Sequence, residues 1–122
     1  VGYNTSFDGA FTIAPPLRPE HVALLTRINA SDARDADFPI AADEYPSFYC
    51  EWRPSEDGAS LGWDGSEKFY GYVEWLEWLI DRVFREHGYA VSGRVRFMGE
   101  EIGDGGTIVA DGSKVSVERV AW

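Results

Sequence analysis

Apolar and polar positions alternate along several short stretches of the chain and recur at helical spacing along two others. From Tyr3 to Ala14, Tyr3, Thr5, Phe7, Gly9, Phe11 and Ile13 share one face, and Asn4, Ser6, Asp8, Ala10 and Thr12 the other, which predicts a strand. Gly9 marks a candidate bulge within it, and Pro15-Pro16 ends it. Pro19 and Glu20 suit the first turn of a helix, where a missing N–H is harmless and an acid favours the dipole. Val22, Leu24, Leu25 and Ile28 supply its apolar stripe to about Asn29. Ser47 to Pro54 predicts a strand with Phe48, Cys50 and Trp52 on one side, then a turn at Glu56-Asp57-Gly58 and a return strand from Ala59 to Trp63. Beyond a long helical stretch, Tyr89 to Met98 alternates Tyr89, Val91, Val95 and Phe97 against Ser92, Arg94, Arg96 and Met98. Thr107 to Ala110 and Lys114 to Val120 form a last hairpin around Asp111-Gly112.

The longest element is predicted from Asp64 to Gly88. Asp64 and Glu67 resemble a capping box, and Gly88 suits a left-handed stop. On a wheel of 100° per residue, Phe69, Tyr72, Val73, Leu76, Leu79, Ile80, Val83 and Phe84 fill one arc of about 140°, the core face, with Trp75 at its border. Trp78 falls nearly opposite Leu76, among Gly71, Glu74, Arg82 and Arg85. It is either an exposed interface anchor, since Trp and Arg are enriched in binding hot spots, or covered by the segment 31–46 or by Trp122. The order β-α-β-β-α-β-β-β predicts an α+β fold in one domain spanning 1–122: a two-layer sandwich, mostly antiparallel, with two helices on one face of the sheet.

Ser31 to Pro46 has no period, and Phe38, Ile40 and Tyr45 are its candidate tacks onto the core. A loop of that length within a compact domain is often functional. It is also acidic. The whole chain of 122 residues carries 11 Lys+Arg against 21 Asp+Glu, a net charge of −10. Asp32, Asp35, Asp37, Asp43, Glu44, Glu51, Glu56, Asp57 and Asp64 concentrate much of the excess between 31 and 64, with Arg34 and Arg53 against them. Such a balance disfavours direct binding to nucleic acid or anionic lipid and suits a basic protein partner. A content of 44% hydrophobic and 15% aromatic residues argues for a folded core.

Catalytic and cofactor motifs are absent. The single cysteine, Cys50, excludes an intrachain disulfide and reads as a buried strand residue. His21 and His87 lie in no metal or nucleophile motif and read as surface helix residues. Glu100, Glu101 and Asp104 are a candidate cation loop without EF-hand spacing, and the more economical reading is a solvated turn. Glu51, Glu56, Asp57, Asp64 and Glu67 are candidates for acid–base pairing if their surroundings separate their pKa values. No stretch has the ~18 apolar residues of a membrane span. The start of the sequence lacks a basic, apolar leader, so a cytoplasmic setting is expected.

Gly2-Tyr3-Asn4-Thr5, the block Trp63-Asp64-Gly65-Ser66-Glu67-Lys68-Phe69-Tyr70, Trp75-Leu76-Glu77-Trp78-Leu79-Ile80, Gly88-Tyr89, Gly93 and Gly99-Glu100 resemble a family of small uncharacterised bacterial, notably actinobacterial, and phage proteins. The likeness covers most of the chain outside 31–46. It implies no activity and no catalytic residue, only a cytoplasmic, phage-linked setting.

The expectation is therefore an acidic, non-enzymatic protein-binding module without cofactor or metal. Its candidate partner-binding residues are Trp78, Glu74, Arg82, Asp32, Asp35, Asp37, Asp43, Glu44, Glu56 and Asp57. Its partner would be a basic protein surface, in the most specific form that of a host nucleic-acid-binding defence complex, in the manner of an anti-CRISPR protein. The alternative is a small metal-dependent hydrolase or ligand-binding enzyme built on Glu51, Asp64 and Glu67 or on Glu100 and Asp104.

Overall fold

The computed structural model describes residues 2–112 and 114–119. It is a small α+β fold: an antiparallel sheet with two helices. The elements are β1 (Thr5–Asp8), β2 (Ala10–Ala14), α1 (Pro19–Ala30), β3 (Trp52–Pro54), β4 (Ser60–Trp63), α2 (Tyr72–Leu79), β5 (Ala90–Gly99), β6 (Gly105–Gly112) and β7 (Lys114–Arg119). The strands run in the order β3-β4-β2-β5-β6-β7, with β1 also paired to β5.

The predicted first strand is divided at Gly9, whose φ of 107° places it where L side chains rarely go. Thr5 lies opposite Gly99 and Asp8 opposite Arg96; Thr12 lies opposite Ser92 and Ala14 opposite Ala90. The register on β5 is the same on both sides, so Gly9 interrupts the ladder without inserting a residue into it. One sheet face is dry: Phe11, Ile13, Val91, Val95, Phe97 and Ile108 are buried, while Thr12, Ser92, Arg94, Arg96 and Met98 on the other face are exposed. Leu25 and Ile28 of α1 and Trp75, Leu76 and Leu79 of α2 join the buried strand residues in a single hydrophobic cluster.

The long helix is shorter than predicted. It begins at Tyr72, with Gly71 as N-cap at φ 67°. Asp64 caps no helix; its Oδ1 accepts from the Ser66 amide (2.8 Å) and its Oδ2 from Asn29 Nδ2 (2.9 Å), so it closes a turn and ties it to α1. A side chain at position 71 would crowd the Pro46 carbonyl, its Cβ 3.1 Å from that oxygen. At its other end, α2 widens into a π-turn, Ile80–Phe84, in which the Arg85 amide donates to the Ile80 carbonyl (2.9 Å). The helical residues end at Phe84, earlier than expected, and Gly88, at φ 82°, closes the turn that follows.

The strand predicted from Ser47 is reduced to Trp52–Pro54. Upstream, the Ala33 amide donates to the Phe48 carbonyl (2.8 Å) and Asp32 bridges Tyr49. These contacts draw 47–50 to the neck of the 31–49 loop instead of the sheet. Cys50 is buried there, outside any strand, and burial pushes its thiol pKa up, away from nucleophilic use. The last strand is described to Arg119; Val120 and Trp122 lie outside the described residues. No helix among the described residues is long and apolar enough to cross a membrane.

Candidate functional site

Of the two expectations for Trp78, the covered one is realised. The wheel placed Trp78 away from the sheet, but the loop 31–46 folds over that side of α2. Phe38 is buried, and its ring lies 6.3 Å from that of Trp78 and 5.0 Å from that of Tyr45. Tyr45 stands 5.9 Å from Trp78, and Trp75 packs edge-on against it at 5.3 Å. Trp75, placed at the border of the core arc, is therefore fully buried. Trp78 is half-buried, its indole N–H shielded from solvent without a hydrogen-bond partner among the described residues. The Arg82 guanidinium approaches its ring at 5.8 Å, so these two predicted residues do meet. Glu74 is exposed on the same helix.

The acidic residues divide between two places. Asp35, Asp37, Asp43 and Glu44 are exposed on the loop whose aromatics cover α2. Asp32 is held at the loop neck by Arg34, which donates through Nε and Nη2 and keeps the carboxyl well below the usual range. Glu56 and Asp57 sit instead at the β3–β4 turn. Asp57 accepts from Ser55 Oγ (2.6 Å) and the Ala59 amide (3.0 Å), which lower its pKa, and Glu56 lines a cleft with Val22 and Thr26 of α1. Asp32 and Asp57 thus shape turns as well as carry charge.

The histidines are closer than their sequence positions suggest. His21 is buried rather than on the surface, because Tyr89 reaches the start of α1: its Oη lies 2.7 Å from His21 Nδ1 and accepts from the Arg18 amide (3.0 Å). The exposed His87 lays its ring 4.1 Å from that of His21. Burial first, then the neighbouring His87, lowers the His21 pKa.

The carboxylate candidates also separate. Glu51 is buried, and its Oε1 accepts from Trp63 Nε1 (3.0 Å). Desolvation, opposed by that bond and reinforced by Asp64, raises its pKa from 4.5 to about 7. The Asp64 amide donates to the Glu51 carbonyl (2.9 Å), so the two residues adjoin; Glu67 stands apart and exposed. Asp104 accepts from Tyr3 Oη (2.5 Å) and pairs with Arg119 (3.3 Å), whereas Glu100 accepts from the Asn4 amide (2.9 Å). Among the described residues no three His, Cys, Asp or Glu side chains are arranged to hold a metal ion.

The open surface lies on the segment read in sequence as the start of the helix. Residues 64–71 form an irregular loop with Gly65, Lys68 and Gly71 all at positive φ; Lys68, at 59°, is the one such residue with a side chain among the described residues. A backbone held there costs about 1–3 kcal/mol. Three contacts retain it: the Lys68 amide donates to Asn4 Oδ1 (3.0 Å), the Tyr3 amide to Tyr70 Oη (3.1 Å), and Ser47 Oγ to the Tyr70 carbonyl (2.8 Å). Tyr70 is thereby held outward, 50% exposed, beside Phe48 (54%) and Tyr49 (51%). These rings line a groove of about 340 Å³ with Ser47, Glu67 and Lys68. Arg34 stacks on Phe48 at 4.0 Å. A second, more polar cavity of about 320 Å³ adjoins it, with Glu67 in the wall of both.

Alternation puts Phe48 on one side of a strand with Cys50 and Trp52, and the helical pattern takes in Tyr70, so neither points to this surface; the signal that does is the density of Gly and polar residues in 64–71, which suits a loop better than a helix. No family model matches the chain, and no curated protein or solved structure is significantly similar to it.

Proposed function

We propose that the protein is a non-enzymatic module that binds a basic protein partner, acting in the cytoplasm, with the aromatic groove of Phe48, Tyr49 and Tyr70 as its contact surface. The observation that carries this reading is the exposure of three large aromatic rings, each about half open, along one groove. Aromatic side chains are costly to leave wet, and they recur as anchors in protein interfaces. The acids of the 31–46 loop favour a basic partner and faster encounter with it. We read the two helices as one layer over the dry sheet face, a two-layer sandwich from whose rim the groove opens. The most specific form of the proposal continues the phage-linked resemblance: the partner is a host nucleic-acid-binding complex, inhibited by occupation of its basic surface.

The test compares capture from a host lysate by the wild-type chain and by the Tyr49→Ala/Tyr70→Ala variant. A specific partner retained by the first and reduced at least tenfold by the second supports the reading. Equal capture by both removes the groove from it. For the inhibitor form, the captured complex loses nucleic-acid binding as the chain is added.

A hydrolase is the second reading, favoured by one observation: Glu51, with a pKa raised to about 7, adjoins Asp64. Such an environment suits a general acid. Neither residue lines the groove or the polar cavity, which ranks it second. A rise in melting temperature with Mg²⁺ or Mn²⁺ would bring its metal-dependent form forward.

A further inference from the structure

The aromatic groove and the polar cavity meet at a charged wall. On β1, one edge pairs with β5, and no strand pairs with the other edge among the described residues. β4 pairs with β2 at Ala10–Thr12, and its last residue is Trp63. Beside β1, the polar cavity lies between Asn4–Ser6 and the departing Trp63–Glu67 segment. Trp63 and Met98 give it apolar walls, Ser6 and Ser66 polar ones. Its ionisable lining residues are Glu67 and Glu100, and no basic residue lines it.

The ion pairs of the described residues engage Arg18, Arg34, Arg85, Arg94, Arg96 and Arg119, and none reaches Glu67 or Glu100. Glu100 accepts from the Asn4 amide and pairs with no cation among the described residues. The aromatic groove, which also holds Lys68 in its wall, is thus continuous across Glu67 with a cavity whose two carboxylates form no ion pair among the described residues.

We propose that this composite surface docks a short basic segment of a partner protein, with an apolar side chain in the aromatic groove and a neighbouring Lys or Arg in the cavity between Glu67 and Glu100. The apolar walls suit the methylene stem of such a side chain and the carboxylates its head. Charge complementarity selects this occupant. A second copy of the chain would bring another net charge of −10, and a nucleic acid would bring its phosphates. The proposal rests on the protein-binding reading above and specifies the chemistry it recognises.

The test uses three fluorescein-labelled peptides on one Gly-Ser frame: Leu flanked by Lys and Arg, Leu flanked by Gln, and Leu flanked by Glu. Each is titrated against the full chain by fluorescence anisotropy at low and moderate salt. The basic probe is expected to bind at least tenfold more tightly than the Gln probe, and the Glu probe not to bind. The Glu67→Gln/Glu100→Gln variant should weaken the basic probe at least tenfold, Tyr70→Ala should weaken all Leu probes that bind, and Glu86→Gln, an exposed acid after the π-turn, should change nothing. Circular dichroism confirms that each variant is folded.

Equal binding of the basic and Gln probes would overturn the proposal. So would a loss with Glu86→Gln as large as with Glu67→Gln/Glu100→Gln, because the attraction would then be diffuse. A captured partner that depends on Tyr49 and Tyr70 but ignores Glu67→Gln/Glu100→Gln leaves the aromatic surface standing and removes this inference; indifference to both sets removes both.

Discussion

Two aromatic groups border the same irregular stretch, and they have opposite fates. Phe38, Tyr45, Trp75 and Trp78 close on one another as the 31–46 loop folds over α2. Phe48, Tyr49 and Tyr70, at the neck of that loop and on the segment before α2, remain open. The difference is one of backbone constraint. In the closed group a long loop is free to bring its rings to the helix. In the open group hydrogen bonds hold the residues in place: the Ala33 amide donates to the Phe48 carbonyl at the neck, Ser47 Oγ to the Tyr70 carbonyl, and the Tyr3 amide to the Tyr70 hydroxyl. Exposure in the open group is therefore built in, whereas the polar side of a helix wheel says nothing about what a loop will lay across it.

The contrast is broken most directly by Phe38→Ala. Removing a buried phenyl ring from beneath the loop should cost about 3–5 kcal/mol in urea denaturation, with tryptophan emission shifting to the red as Trp75 and Trp78 become wet. An emission spectrum left unchanged in the folded variant would mean that Phe38 does not hold the cover in place.

The next largest effect is expected at Glu51, behind Trp63 on the open side. Its folded pKa is raised from 4.5 to about 7, so the folded state binds more protons than the unfolded state between these values. Stability should fall as pH rises through that window and level off above it, by at most roughly 3 kcal/mol in total. Glu51→Gln keeps an oxygen for the Trp63 N–H and should flatten the profile, gaining most at pH 8. Parallel profiles for the two proteins would exclude Glu51 as the titrating group.

Trp78→Phe sharpens the contrast with a smaller change. It removes a shielded, unpartnered N–H at the expense of some packing, and the two terms oppose each other. A net change under about 1 kcal/mol is expected. A loss as large as that of Phe38→Ala would show that the indole N–H has a partner in solution.

The smallest stability effect belongs to Tyr49→Ala, an exposed position where about 0.5 kcal/mol or less is expected. Its effect on partner capture should nonetheless exceed that of Trp78→Phe. The reverse ranking would return the binding surface to α2.

Strand positions were largely legible because alternation depends on neighbours two residues apart. Phe11 and Ile13, or Val95 and Phe97, face inward as their spacing requires. The positive φ of Gly88 and the existence of the last hairpin were legible for the same local reason, although Asp111 and Gly112 belong to β6, with Asp111 paired to Lys114, rather than forming the turn. The start of α2 was not. Asp64 and Glu67 imitate a capping box, and what excludes it is the contact of Asp64 with Asn29 and of Gly71 with Pro46, both remote in sequence. The candidate site was less legible still. Tyr70 owes its orientation to Tyr3 and Ser47, the burial of His21 depends on Tyr89, and the pKa of Glu51 is set by its burial, against the bond from Trp63. None of these pairings has a sequence period to announce it.

The π-turn at Ile80–Phe84 separates the length of the helical segment from its phase. Its Arg85-to-Ile80 bond spans one residue more than an α-ladder bond, so the wide turn takes up that residue and the positions beyond it keep their angular place. Removing one residue there, Asp81 or Arg82, should let the helix close as ordinary α with His87 still against His21 and β5 still in register with β2. A deletion in the regular turns of α2, by contrast, would rotate everything after it by about 100°. The extra residue is thus slack in the chain, the one place along the helix where its length can change without its phase.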